Sequence, residues 1–129
     1  MPVFTRVREG VLVLTADGDY TSNELRRAGF KALEADGTPS PVPILLDLSG
    51  AAGLDGKPEV ELRATGAIFG AYRDRITGVA VVAAPSVLGL FDSESAFAKE
   101  AGVAVKACGS HADARAWLED GARAPGPSS

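Results

Sequence analysis

Two short β-forming runs open the chain. Val3, Thr5 and Val7 alternate with Phe4, Arg6 and Arg8, and Val11 to Ala16 follow after Glu9-Gly10. A two-residue, glycine-containing turn between such runs predicts a β-hairpin. The first run is the more polar and reads as an edge strand, with Arg6 and Arg8 discouraging pairing with another sheet. A turn at Ala16-Asp17-Gly18-Asp19 comes next. Thr21 and Glu24 have the spacing of a capping box, and Leu25, Ala28, Ala32 and Leu33 recur behind them at helical spacing. Gly37, Pro39, Pro41 and Pro43 end that helix and stiffen the connection.

The most apolar run of this half is Pro43-Ile44-Leu45-Leu46-Asp47-Leu48-Ser49-Gly50. Consecutive apolar residues, then a carboxylate and a turn, read as a strand buried on both faces. Ser49-Gly50 are expected to lead into a glycine-rich loop that runs to Lys57. Pro58 suits the first position of a second helix, with Glu59 and Glu61 at its positive end. Val60, Ala64, Ala67, Ile68 and Ala71 are expected to form its buried face. Gly66 and Gly70, four apart, permit close backbone approach, either to the sheet or to another chain.

Gly78 to Ala84 read as a second fully buried strand, stopped by Pro85. Val87-Leu88-Gly89-Leu90-Phe91 is apolar but broken by glycine. Asp92 or Ser93 caps a helix carrying Ala96, Phe97 and Ala101. Val103, Val105 and Ala107 form a strand nearer an edge. Ser110 with Asp113 caps a last helix whose stripe is Ala114, Trp117 and Leu118. The expected order is β-β-α-β-α-β-α-β-α: a single α/β domain with a mixed, mostly parallel five-stranded sheet and about four helices. The domain is drawn over residues 1–121, and 122–129, rich in proline, glycine and serine, read as a disordered C-terminal tail.

Composition narrows the function classes. At 129 residues with 46% hydrophobic and 23% charged residues, the chain has globular composition and the length of one domain. The net charge of −4 argues against general nucleic-acid binding and against an anionic membrane surface. No apolar run approaches the roughly 18–20 residues of a membrane helix. The N-terminal MPVFTRVREG lacks an apolar signal segment, so the expectation is a cytoplasmic protein without membrane insertion. One cysteine, Cys108, excludes an internal disulfide.

Candidate chemistry is sparse. Lys57 and the helix expected from Pro58 offer an anion site, against the plain reading of a solvated loop lysine. Asp47, near the carboxyl end of its strand, is either a site residue or a turn carboxylate accepting loop N–H bonds. Cys108 and His111 straddle a strand-to-helix turn, but a packed cysteine and a solvated first-turn histidine are the default. Ser110, His111 and Asp113 are triad residue types without triad geometry. One His and one Cys do not make a zinc site, and Gly50-Ala51-Ala52-Gly53 matches neither a dinucleotide fingerprint nor a P-loop. No cofactor and no metal is expected. Val87, Leu88, Leu90 and Phe91 are either core or the wall of a pocket for a small apolar or lipid-like ligand, with Phe69 and Tyr72 as neighbours.

The element order resembles the STAS domain of bacterial anti-sigma factor antagonists, and more closely its SpoIIAA-like branch, related in shape to CRAL-TRIO lipid-binding domains. Three stretches carry the resemblance: Val11-Leu12-Val13-Leu14 through Gly18 and Thr21 to Leu25; Ile44 to Gly50; and Ala112 to Leu118, with its Ala-x-x-Trp-Leu ending. The resemblance implies a non-catalytic regulatory or protein-interaction domain. Where the phosphorylated antagonists carry Asp-Ser-Ser-Gly, this chain has Asp55-Gly56-Lys57-Pro58. Asp55 matches, but no hydroxyl follows, so a switch that adds about two negative charges at a helix N-terminus has no acceptor here. The expected binding surface is Asp47, Asp55 and Lys57, toward an unidentified protein partner or a second copy of the chain. Binding of a small apolar ligand at Val87–Phe91 is the alternative.

Overall fold

The computed structural model of the chain describes residues 3–18, 22–35, 41–51, 66–67, 69–83 and 102–120. Five strands form one sheet: β1 (Val3–Arg8), β2 (Val11–Gly18), β3 (Val42–Ala51), β4 (Ile76–Val82) and β5 (Val105–Cys108). Their spatial order is their sequence order, β1-β2-β3-β4-β5. β1 runs antiparallel to β2, and each later strand is parallel to its predecessor. Two helices are described in full, α1 (Ser22–Leu33) and α2 (His111–Glu119). Residues 66–67 and 69–70 are also helical and lead into a 3-10 turn at Arg73–Arg75. The capping threonine Thr21, the start of the helix expected from Pro58, the helix expected after Asp92 and the tail 122–129 lie outside the described residues.

The hairpin forms where the alternation and Glu9-Gly10 place it. Arg8 faces Val11, and both turn residues have positive φ, 54° at Glu9 and 79° at Gly10, the signs that a type I′ turn requires. Among the described residues β1 is one edge of the sheet and β5 the other, and of β1's residues only Val3 is buried.

Alternation along the strands divides the core into two layers. Leu12, Leu14, Ile44, Leu46, Val79 and Val81 face α1 and pack with its Leu25 and Leu33 and with Phe69. Val11, Val13, Leu45, Ala80, Val82 and Cys108 face the other way and pack with Ala114 and Leu118 of α2. β3 and β4 are thus apolar on both faces, which is why their sequences run unbroken rather than alternating. Each fully buried Leu or Val here contributes roughly 1.5–3 kcal/mol. Helices that connect successive parallel strands in a sheet whose order never reverses fall on one face when their crossovers share one hand. α1 and Phe69 obey this, and α2, which follows the last strand, takes the opposite face.

Three local expectations change. Ser49 and Gly50 do not leave the sheet: β3 runs to Ala51, because Gly50 pairs with Asp17 and Ala51 with Gly18 after a register shift in β2. That pairing also draws Asp17 and Gly18 out of the expected turn and into β2. Among the helical residues 66–67 and 69–70 and the turn that follows them, Ala67 and Ala71 are exposed, while Gly66 and Phe69 are buried. Burying one phenylalanine removes far more apolar area from water than burying two alanines, so the helix turns Phe69 inward. Phe69 is therefore core, not the wall of an open groove.

Candidate functional site

β3 presents alternate residues to opposite faces, and Asp47 shares the α2 face with Leu45. Across the sheet it lies in one row with Phe4, Thr15, Val82 and Cys108. α2 begins at His111, three residues past Cys108, so its first turn stands above the end of that row. The Ser110 hydroxyl caps the helix by accepting from the Asp113 N–H at 3.1 Å, the cap that the sequence predicts.

From this first turn, His111 Nε2 reaches Asp47 Oδ2 at 2.7 Å. The other carboxylate oxygen accepts twice from Ser49, from its N–H at 2.9 Å and from its hydroxyl at 2.6 Å. The Asp47 side chain is 14% exposed and that of His111 47%. Burial alone would raise the Asp47 pKa, but the bonds from the Ser49 hydroxyl and N–H and from His111, with the charge on His111, outweigh it and hold the carboxyl below its ordinary value. An ionised carboxylate only accepts, so the proton of the pair sits on His111 Nε2.

Beside this cluster, the Asp17 carboxylate accepts from the Gly18 N–H at 3.0 Å and lies over Gly50. A Cβ at position 50 would stand 2.6 Å from Asp17 Oδ1, so glycine is what permits the close approach.

This arrangement is a clamp, not a nucleophile relay. In a hydrolase triad the imidazole stands between carboxylate and hydroxyl, and takes the hydroxyl proton. Here the carboxylate stands between, so the Ser49 hydroxyl already donates to Asp47 and has no base behind it. The Cys108–His111 pairing does not form either. The thiol is buried and lies 3.8 Å from the Lys106 carbonyl oxygen, while His111 turns to Asp47. Burial pushes the Cys108 thiol above its ordinary pKa, the opposite of an activated thiolate. A hollow of about 550 Å³ opens between β5 and α2, lined by Lys106, Cys108, Asp113, Trp117 and Asp120 among others. Among the described residues no group of three or more His, Cys, Asp or Glu side chains is placed to hold a metal ion. Among them, too, no helix is long and apolar enough to cross a membrane.

Of the residues singled out from the sequence, Asp47 is thus described, and it accepts from Ser49, which is still a strand residue and not a loop residue, and partners His111. Asp55 and Lys57, and the segment Val87, Leu88, Leu90 and Phe91, lie outside the described residues. The general expectation of a ligand crevice at the strand ends rests on a point where strand order reverses. The order β1-β2-β3-β4-β5 contains no such reversal. The Asp47–His111 and Asp17–Gly50 contacts were not foreseen. Strand parity places Asp47 on one face, but only the position of α2 on that same face brings His111 to it. The sequence matches no protein-family model, and neither a curated protein nor a solved structure matches it.

Proposed function

We infer that the chain is a non-catalytic STAS-type, SpoIIAA-like interaction domain of the cytoplasm. It binds a protein partner, or a second copy of itself, through the surface at the carboxyl end of β3, around Asp47 and with Asp55 and Lys57 of the sequence that follows. The observation that carries this reading is the state of Asp47. Its carboxylate is taken up by Ser49 and His111, which makes it a brace for a fixed surface rather than a reactive group. The element order, with a hairpin leading into parallel strands and a final capped helix, supports the family resemblance. The missing hydroxyl after Asp55 makes this a domain whose binding is not gated by phosphate at that position.

The test places a photo-crosslinking residue at exposed Ala112, beside His111 in the first turn of α2, and, as a control, at exposed Glu119 on the far end of α2. A discrete crosslinked partner, or a crosslinked dimer, from position 112 and not from 119 is the expected result. Native mass spectrometry on undenatured protein runs alongside. A bound small molecule that leaves on denaturation, or turnover in a hydrolase screen that His111→Ala or Cys108→Ala abolishes, overturns the reading.

A further inference from the structure

β1 and β5 are the two edges of the sheet among the described residues, and β1 is the longer and more exposed of them. No described element lies beyond β1, so its outer backbone groups have no partner strand among the described residues. Thr5, Arg6, Val7 and Arg8 are all exposed, and Phe4 is 57% exposed. Phe4, Arg6 and Arg8 point to the face that α2 covers, but α2 lies over β3, β4 and β5. Phe4 and Arg6, with Thr5, Val13 and Thr15, therefore line a hollow of about 240 Å³ that nothing described fills. Arg6 and Arg8 have no ion pair among the described residues, and the neighbouring Glu9 is taken by Arg115 at 3.4 Å. In a chain of net charge −4, two cations without an ion pair among the described residues, beside an exposed aromatic ring on an edge strand, are a local reversal of sign.

We propose that β1 receives an extended acidic segment of a partner protein as a sixth, antiparallel strand, with carboxylates opposite Arg6 and Arg8 and an apolar side chain opposite Phe4. Strand addition satisfies the free backbone edge, and alternate side chains supply specificity. Directly opposed residues in such a pair have Cβ atoms about 5 Å apart, so opposite charges there attract and like charges repel. The charges choose the occupant. A second copy pairing β1 with β1 would bring two Arg6–Arg8 pairs together, which is the repulsion that edge cations impose. A nucleic acid needs a broad basic field, and two cations on an acidic chain do not make one. Antiparallel geometry then writes the recognition pattern from N- to C-terminus as acidic-x-acidic-x-apolar. This surface lies on the same face as Asp47, with Thr15 between Phe4 and Asp47, but its backbone edge and its charges belong to β1 alone.

The probe is a fluorescent hexapeptide, Glu-Val-Glu-Val-Phe-Thr, titrated into the full chain and read by anisotropy. Binding is expected, with slowed deuterium exchange in β1. The Arg6→Glu/Arg8→Glu variant, its fold checked by circular dichroism, should bind at least about tenfold more weakly, because each attraction becomes a repulsion. On the unaltered protein, added salt should weaken binding, and lysine in place of both glutamates should abolish it. Antiparallel pairing uses the N–H groups of alternate residues only. Of two peptides, N-methylated at the glutamates or at the valines, one should therefore lose binding and the other keep it. Ser49→Arg should leave peptide binding unchanged, which separates this surface from the one at Asp47. No binding, equal binding of both methylated peptides, tighter binding of a thymidine oligonucleotide, or a dimer lost in the arginine variant each overturns the proposal.

Discussion

His111 Nε2 donates to Asp47 Oδ2 across 2.7 Å and so joins the first turn of α2 to β3, a strand 64 residues earlier in the chain. α2 is the described helix on its face of the sheet, and beneath it lie Leu45, Ala80, Val82 and Cys108. The bond fixes one end of that layer, while Arg115 to Glu9, at 3.4 Å, touches the hairpin turn from farther along the same helix.

The first prediction concerns this bond. Asp47→Ala leaves the Ser49 N–H and hydroxyl and the His111 ring without their acceptor, and should destabilise by about 1–3 kcal/mol. His111→Ala removes one bond from a half-exposed ring, and should destabilise by about 1 kcal/mol or less. A double-mutant cycle by urea unfolding should give a coupling of about 0.5 kcal/mol or more, as for residues in direct contact. Additive losses would mean that the two side chains act independently.

The pH dependence follows from the same carboxylate. Its folded pKa is depressed, because the bonds from Ser49 and His111 outweigh the effect of burial. A group lowered on folding stabilises the native state above its unfolded pKa, about 3.9 for aspartate, and loses that contribution as pH falls through the folded value. The urea midpoint should therefore drop as pH is lowered below about 4. In Asp47→Asn the drop should be shallower. Parallel acid profiles for the two proteins would assign the acid sensitivity to other carboxylates.

Gly50 offers a sharper test of close packing. A methyl group at position 50 would stand 2.6 Å from Asp17 Oδ1, so Gly50→Ala must push that carboxylate aside. Moving it breaks its bond to the Gly18 N–H, and the expected loss is about 0.5–1.5 kcal/mol. The clash is with the end of a side chain, not with backbone. Gly50→Ala should therefore be nearly neutral in an Asp17→Ala background, measured by thermal or urea unfolding of all four proteins.

The strands and their faces were legible because the physics that sets them is local. Alternation in Val3–Arg8, unbroken apolar runs at Ile44–Leu46 and Val79–Val82, and a serine at the start of the last helix each act within a few residues. What was not legible depends on elements meeting. Gly50 looks like a loop glycine until β2 runs alongside and supplies Asp17. Ala67 and Ala71 look like a buried face until the helix has a sheet against which Phe69 is the better fit. His111 is exposed, as a first-turn histidine is expected to be, but its partner appears only when α2 takes the face opposite α1 and sets it over Asp47. The candidate site was legible only as Asp47, because strand parity shows which way a side chain points and not what waits there.

The last prediction separates a packed thiol from a reactive one. Cys108 is 4% exposed, on the layer beneath α2, and burial raises its pKa. The thiolate is the reactive form, so alkylation should be slow at neutral pH and should speed up only above the ordinary thiol range near 8.5. Native labelling should also require local opening of the α2 layer. Asp47→Ala, by removing the brace at the start of the helix, should therefore hasten labelling of Cys108 by several-fold under native conditions. It should leave the rate in urea-unfolded protein unchanged. Fast labelling of the unaltered chain at neutral pH would show an activated thiolate and return Cys108 to the list of catalytic candidates. Equal native rates in the two proteins would show that the Asp47–His111 bond does not hold this end of α2 to the sheet.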